Sequence, residues 1–351
     1  MKAIGRFIPE FEEHHGTIAM FPFRTDIWRD NAKFIQEYVV NLTQVISRYE
    51  RVYLFCQEAD LPYLDYLQNE SIELVPMEYD DIWARDISPA FIEENGNVIC
   101  ICWKFNSWGG VKWGSYSPWD KDAQFAKRIA EYFGLETRKG NLVVEGGAIM
   151  SDGLGTVFTT RSVLLNRNRN PFKSFEYVDA VLKESLYARK IVWLDQGLAF
   201  DETNGHIDNV LHVIRPHEIC LAWTDDKENP NYKRVRRIEI ILSKNYDCNI
   251  HKLMLPTSQY MTSQESNGLS QNKNSLNRNA GDLLPASYLN FYMVNGAVIV
   301  PSFDCPEDDL AMEVFIKVFP DRNIEQIYSR EPLLGGGGIH CILHEIPKLG
   351  G

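Results

Sequence analysis

NAKFIQEYVVNLTQVISRYERVYLF, residues 31–55, reads as one helix running into one strand. Phe34, Ile35, Tyr38, Val39, Leu42, Val45 and Ile46 recur at three- and four-residue steps, so they share one face of a helix over 31–49. RVYLF then has the length and the β-branched and aromatic content of a buried strand. The same pairing recurs along the chain. Strand-like runs are TIAMF (17–21), SIELVP (71–76), VICICW (98–103), GTVFTT (155–160), KIVWL (190–194), NVLHVI (209–214), EICLAW (218–223), IHKLML (250–255), AVIVP (297–301) and IEQIY (324–328). Helical patterns cover 120–133, 174–186, 232–244 and 308–319. Five long helices among short strands predict an α/β architecture built on a repeated unit, although no sequence motif recurs at a fixed period. No Pro/Ser-rich linker divides the chain, so one domain over 1–351 is expected. The polar stretch 258–282, rich in Asn, Ser and Gln, reads as a long surface loop.

Composition narrows the partners. The chain has 351 residues, 44% hydrophobic and 24% charged, with a formal net charge of -12. Such an acidic balance argues against nucleic acid or an anionic membrane surface, and weakly favours a cationic small molecule. No apolar run reaches membrane-spanning length, and the opening MKAIGRFIPEFEEHHG has acids where a secretory signal needs an apolar stretch. A cytoplasmic location is therefore expected. Seven cysteines, an odd number and widely spaced, look like reduced thiols and not a disulfide framework. The sequence leaves oligomeric state open, a homo-oligomer among the options.

One cysteine differs from the rest. In GGGGIHC, Gly335 to Gly338 lead into Ile339, His340 and Cys341. Glycines let the backbone reach torsions closed to other residues and let a ligand approach the main chain. A thiol after such a run reads as a presented nucleophile. Two polar clusters lie upstream. DDIWARD (80–86) carries three acids, Trp83 and Arg85; acids can hold a planar cation through paired hydrogen bonds while tryptophan stacks on it. The plainer reading is a solvated loop with an Arg85–Asp salt bridge. In NGHIDN (204–209), His206 and Asp208 would share a face if the segment enters the strand NVLHVI, a usable acid/base arrangement. Glu145, before Gly146 and Gly147, reads as an ordinary turn acid. His206, Asp208, Cys341 and His344 form a rival metal set, but their spacing matches no zinc motif, so no metal and no cofactor are expected. The glycines make neither a dinucleotide fingerprint nor a P-loop.

Together these segments resemble the agmatine deiminase family of the guanidino-modifying superfamily. The resemblance runs through EFEEHHGTIAMFPFRTDIWRDN, MEYDDIWARDISPAF, VVEGGAIMSDGLGT, LLNRNRNPF, TNGHIDNVLHVIRP, LAWTDDKENPNY, ASYLNFYMVNGAVIVPSF and GGGGIHCILHEIP, nearly the whole chain. It implies a five-bladed, pseudo-symmetric αβ propeller, the pentein fold. It also implies roles: Cys341 as nucleophile, His206 as general acid/base, and Asp86 and Asp208 as guanidinium clamps. Trp83, Glu145, Gly336 and Gly337 match positions lining the same pocket. The family commonly has asparagine where this chain has Gly338, which removes a side-chain hydrogen bond beside the nucleophile.

The function implied is hydrolysis of agmatine to N-carbamoylputrescine and ammonia without a cofactor. Two alternatives stand beside it. One is a deiminase acting on free or peptidyl arginine; free arginine needs a cation for its α-carboxylate, and Arg167 and Arg169 are the candidates. The other is a non-catalytic guanidino- or polyamine-binding protein, against which the co-occurrence of Cys341, His206, Asp86 and Asp208 speaks.

Overall fold

The computed structural model describes residues 5–349. All five helical patterns are present, as Lys33–Ile46, Asp122–Tyr132, Phe175–Ser185, Tyr232–Asn245 and Glu307–Val318. The first buries Ile35, Tyr38, Val39, Leu42, Val45 and Ile46. Phe34, expected on that stripe, is only half-buried; the Arg29 guanidinium lies over its ring, 3.9 Å from the centroid. A cation over the ring face gives an aromatic side chain a partner without full burial.

Each helix joins two parallel strands of one sheet, as it must, because parallel neighbours cannot be linked by a tight hairpin. The crossovers run from His14–Met20 to Val52–Cys56, Asn97–Lys104 to Glu136–Val143, Thr156–Thr160 to Lys190–Leu194, Glu218–Trp223 to Asn249–Met254, and Ala297–Ser302 to Asn323–Tyr328. The first strand of every pair also takes an antiparallel partner: Leu343–Pro347, Ala90–Glu94, Ile149–Ser151, Leu211–Arg215 and Tyr292–Val294 in turn. The result is five sheets of one pattern, two of them extended by a fourth strand, Ile72–Pro76 and Gly5–Phe7. The architectural repeat expected from the sequence is therefore real. Leu343–Pro347 returns from the far end of the chain to complete the sheet that holds His14–Met20.

Besides Ala90–Glu94 and Leu343–Pro347, the strands that periodicity did not reveal are short or polar. Gly5–Phe7, Ile149–Ser151 and Tyr292–Val294 have three residues each, too few to display alternation. Glu136–Val143, ETRKGNLV, lies at a sheet edge and alternates exposed and buried positions, so its apolar content is low. The stretch 258–282 is more structured than a surface loop. It holds the helix Ser263–Asn267, capped reciprocally by Thr262 and Glu265, and Arg278, which is buried against Glu202 and the carbonyl of Gly335.

Besides 8–13, which leads from Gly5–Phe7 into His14–Met20, five connections pass from one sheet to the next: 77–89, 144–148, 195–210, 255–291 and 329–342. Those connections build the site.

Candidate active site

Cys341 stands in the last connection, on the one-turn 3-10 segment His340–Ile342 that follows the glycine run. Its side chain is almost wholly buried, and Sγ lies 3.8 Å from Asp208 Oδ2. The other six cysteines are unpaired and lie elsewhere in the core or half-buried. Burial first, then the charges of Asp208 and Asp86, push the Cys341 thiol well above its usual range; hydrogen bonds from the Gly338 backbone and the Asn290 side chain pull the other way. The unliganded site therefore keeps a protonated thiol.

Asp86 ends the first connection, on the single helical turn Ala84–Ile87. Its Oδ1 accepts from the Gly147 N–H at 2.8 Å and its Oδ2 from Trp108 Nε1 at 2.7 Å. Burial, with Asp208 and Glu145 nearby, raises its carboxyl above the ordinary range, while His206 opposes the rise. Arg85 does not pair with a neighbouring Asp. Its guanidinium points the other way, to Glu345 Oε2 at 2.6 Å and Glu10 Oε2 at 2.8 Å.

His206 and Asp208 do meet in the site, though not through a strand. Strand Leu211–Arg215 begins later, and His206 caps the 3-10 turn Ile207–Asn209. His206 lies between two carboxylates, Nδ1 3.8 Å from Asp86 Oδ2 and Nε2 3.5 Å from Glu145 Oε2. Burial would lower its basicity, but Asp86, Glu145 and Asp208 together raise it to about 9, so the ring is an imidazolium at neutral pH. Asp208 behaves oppositely to Asp86. Burial acts to raise it, yet the hydrogen bond and charge of His340 carry it below the ordinary carboxylate range.

Glu145 is no turn acid. It is fully buried, and its Oε1 accepts from Arg169 Nε at 2.6 Å. Burial is outweighed by Arg169 and His206, which hold its carboxyl down at about 2. Arg169 also reaches Asn168, Asn204 and the Thr203 carbonyl. Removing one partner from such a buried pair costs about 3–5 kcal/mol. Arg169 is thus committed to Glu145 and not free to receive a substrate carboxylate, and Arg167 is exposed.

Gly147 forms the floor. A Cβ there would lie 2.7 Å from His206 Nδ1, 2.8 Å from Asp208 Oδ2 and 2.9 Å from Asp86 Oδ1. Only a glycine leaves these three side chains room to stand together. Among the described residues, Asp208 Oδ1 is buried without a hydrogen-bond partner, and Glu145 Oε2 and His206 Nε2 face only each other, at 3.5 Å. Such atoms are costly unless a ligand satisfies them. Cys341 and Asp86 open onto a pocket whose other walls are Trp83, Trp108, Ser115, Glu202, Thr203 and Gly335 to Gly337. Trp83 is fixed by its Nε1 bond to Asp81 at 2.7 Å and meets Trp108 edge-on, centroids 5.8 Å apart. A Cβ at Gly337 would stand 2.5 Å from Trp83 and 3.0 Å from Cys341 Cβ; Gly336 has φ +103°, open to glycine.

His344, grouped with the site as a rival ligand, lies outside it, bonded to the Pro89 carbonyl at 3.0 Å and stacked on Phe91. The grouping of potential ligand atoms among the described residues is instead Glu10, His212 and His340. There His340 bridges Asp208 Oδ2 and Glu10 Oε2 at 2.9 and 2.8 Å, so both its ring nitrogens are already taken. Trp108, Glu202, Asn290 and His340 were not singled out as site residues from sequence. His340 alone had a signal, its place next to Cys341.

Residues 6–347 match the Porphyromonas-type peptidyl-arginine deiminase family. A Listeria monocytogenes relative provisionally named agmatine deiminase 1 is 40% identical over 346 residues, covering 97% of this chain and 95% of its own. A Mycoplasma capricolum relative, provisionally named agmatine deiminase, is 37% identical over 353 residues, covering 99% and 97%. The solved agmatine deiminase of Enterococcus faecalis superimposes with a TM-score of 0.93 at 33% identity, covering 98% of this chain and 96% of that one. The five like sheets, the convergence of their connections and these likenesses agree: the chain belongs to the Porphyromonas-type peptidyl-arginine deiminase family and has the five-bladed αβ propeller fold of the agmatine deiminases.

Proposed function

We propose that this protein is an agmatine deiminase, hydrolysing the guanidinium of agmatine to N-carbamoylputrescine and ammonium with Cys341 as nucleophile. The carrying observation is the convergence of the buried Asp86 and Asp208 carboxylates and the His206 ring beside the Cys341 thiol, with Asp208 Oδ1 buried and without a hydrogen-bond partner. A guanidinium is flat, cationic and rich in N–H donors, and so matches acidic acceptors arranged round a glycine floor.

The reaction follows from those parts. Asp86 and Asp208 fix the guanidinium plane and hold its carbon near Sγ, which supplies proximity. The substrate's positive charge offsets the two carboxylates that keep the thiol protonated, so binding releases the thiol proton to solvent, from which the sulfur regains it when product leaves, and creates the nucleophile. Sulfur attacks the carbon, and the His206 imidazolium gives a proton to one nitrogen, which leaves as ammonia. An amidino-thioether remains. Neutral His206 then takes a proton from water as it attacks; the C–S bond breaks, the thiolate returns, and the proton of the new hydroxyl goes to ammonia. Charge and protons balance: guanidinium plus water become a ureido group plus ammonium. No metal or cofactor enters.

Agmatine is favoured over free arginine because Arg169 is locked to Glu145, and because Arg278, near the pocket, is committed to Glu202 and the Gly335 carbonyl, so neither arginine is free to receive an α-carboxylate. The product is a carbamoylated diamine, which a carbamoyl-removing reaction would convert to putrescine, and the setting we assign is the cytoplasm. No helix among the described residues is long and apolar enough to cross a membrane.

The test is an assay of ammonia and ureido product from agmatine, arginine and a blocked arginine peptide. Turnover of agmatine that disappears in Cys341→Ala, with an amidino adduct on the Cys341 peptide after acid quench of wild type, is the expected result. Appreciable activity in Cys341→Ala would sink the covalent route, and arginine as the better substrate would sink the agmatine assignment.

A further inference from the structure

Each of the five connections that build the site brings a polar side chain to it: Asp86 from the first, Glu145 from the second, His206 and Asp208 from the third, Cys341 from the fifth. The fourth, 255–291, brings Asn290, which is 2% exposed. We infer that Asn290 is a further catalytic residue, the donor that stabilises the Cys341 thiolate, and that Gly338 is the opening that lets it reach the sulfur. This rests on Cys341 being the nucleophile.

The hydrogen-bond network fixes which way the carboxamide faces. Asn290 Oδ1 accepts the backbone N–H of His340 at 2.9 Å, so that atom is the oxygen. Asn290 Nδ2 donates to Asn209 Oδ1 at 2.9 Å, and Asn209 in turn donates to Asp201 Oδ2 at 3.1 Å. The amide is thus held from both ends. Its second N–H is directed at Cys341 Sγ, 3.2 Å away, while Oδ1 stands 3.5 Å from the same sulfur. One carboxamide can therefore accept from the thiol and donate to the thiolate. The charged groups facing Sγ are Asp208 and Asp86, and His340 and His206 face those acids in turn. Both carboxylates oppose ionisation of the sulfur, which leaves Asn290 as the side chain that favours it.

Gly338 completes the argument. A Cβ at 338 would overlap Asn290 Oδ1 and stand 2.9 Å from its Cγ. Any side chain there would push the carboxamide off the sulfur. The hydrogen bond that an asparagine at 338 would have offered is here supplied from another sheet connection, 48 positions back along the chain (338 minus 290).

The experiment follows the pH dependence of Cys341 alkylation by iodoacetamide, measured by mass spectrometry on the intact protein without substrate, beside steady-state kinetics on agmatine. In Asn290→Ala the alkylation midpoint should move up by about one to two pH units, the worth of a hydrogen bond to a charged group, and in the near-isosteric Asn290→Asp, which adds a carboxylate beside the sulfur, by at least as much. The kcat should fall roughly 10–100-fold with KM changed much less. Gly338→Ala, which removes no polar atom, should shift the midpoint in the same direction. An unchanged midpoint in folded Asn290→Asp and Gly338→Ala overturns the inference, whatever happens to kcat. Failure of the nucleophile assignment reads out separately, as activity surviving in Cys341→Ala.

Discussion

His340 Nδ1 donates to Asp208 Oδ2 at 2.9 Å, while its Nε2 donates to Glu10 Oε2 at 2.8 Å, with all three side chains buried or nearly so. The ring is held between two acids. Burial and Arg85 act to lower its basicity, but Glu10 and Asp208 raise it above the usual histidine value, so it is charged and donates from both nitrogens. That arrangement aims Asp208 into the site and leaves Oδ1 open to a ligand.

His340→Gln should therefore weaken substrate binding through Asp208, acting as a loss of positioning. We expect kcat/KM to fall roughly 30-fold or more, mostly in KM, since a charge-assisted bond supporting a buried carboxylate is removed. His340 holds the Asp208 carboxyl low, so in the variant Asp208 takes up a proton at higher pH. The acid side of the kcat/KM profile should move upward. A loss of activity with an unmoved acid limb would make His340 a packing residue only.

The two clamping acids should differ in what they do to stability. Both Asp86→Asn and Asp208→Asn should lower kcat/KM about 30-fold or more, because an unpaired charge-assisted bond costs about 2–5 kcal/mol. Asp86 has a raised folded value, so at neutral pH its charged form weakens the fold, and Asp86→Asn should raise Tm. Asp208 is lowered, and its charge contributes stability that is present above the ordinary carboxylate range and lost as pH falls below it. Asp208→Asn should lower Tm. Thermal midpoints at pH 7, measured beside kinetics, decide; equal shifts of one sign would refute the distinction.

His206, raised from 6.5 to about 9, contributes stability that is full below pH 6.5 and lost as pH rises through about 9. A shift of that size corresponds to about 3 kcal/mol at most. Denaturant unfolding at pH 6 and pH 10 should show a larger loss for wild type than for His206→Gln, and the variant should turn over roughly 10²–10⁴-fold more slowly. The same pH slope in both proteins would mean that the ring is not charged between Asp86 and Glu145.

Gly147→Ala places a methyl group against His206, Asp208 and Asp86 at once. A reacting group displaced by about 1 Å costs on the order of 10²-fold, so kcat/KM should drop by that much or more. Wild-type kinetics in the variant would show that the reaction does not depend on the present positions of His206, Asp208 and Asp86.

Much of the chemistry was legible before the fold. The glycine run ahead of Cys341, DDIWARD and NGHIDN marked Cys341, Asp86, His206 and Asp208, and these now stand within a few ångströms of one another. The expected reasons were sometimes wrong. His206 and Asp208 converge through a 3-10 turn and not a strand face, and Arg85 serves Glu10 and Glu345 instead of a neighbouring Asp. Trp108, Glu202 and Asn290 had no local pattern to announce them, since each acts at long range: Trp108 on Asp86, Glu202 against Arg278, Asn290 on Cys341.

The amino-acid sequence by itself determined the elements: five amphipathic helices, the strands beside them and the glycines that present a thiol. Period and propensity are local properties, written in residues a few positions apart. Only the tertiary structure decided which strands pair and what the five connections bring together. Leu343–Pro347 returns to His14–Met20, Arg169 seals Glu145, and Asn290 fills the space left by Gly338. Those choices depend on burial and hydrogen-bond satisfaction between residues far apart in the chain, where one missing or added side-chain group changes which buried atoms find a partner.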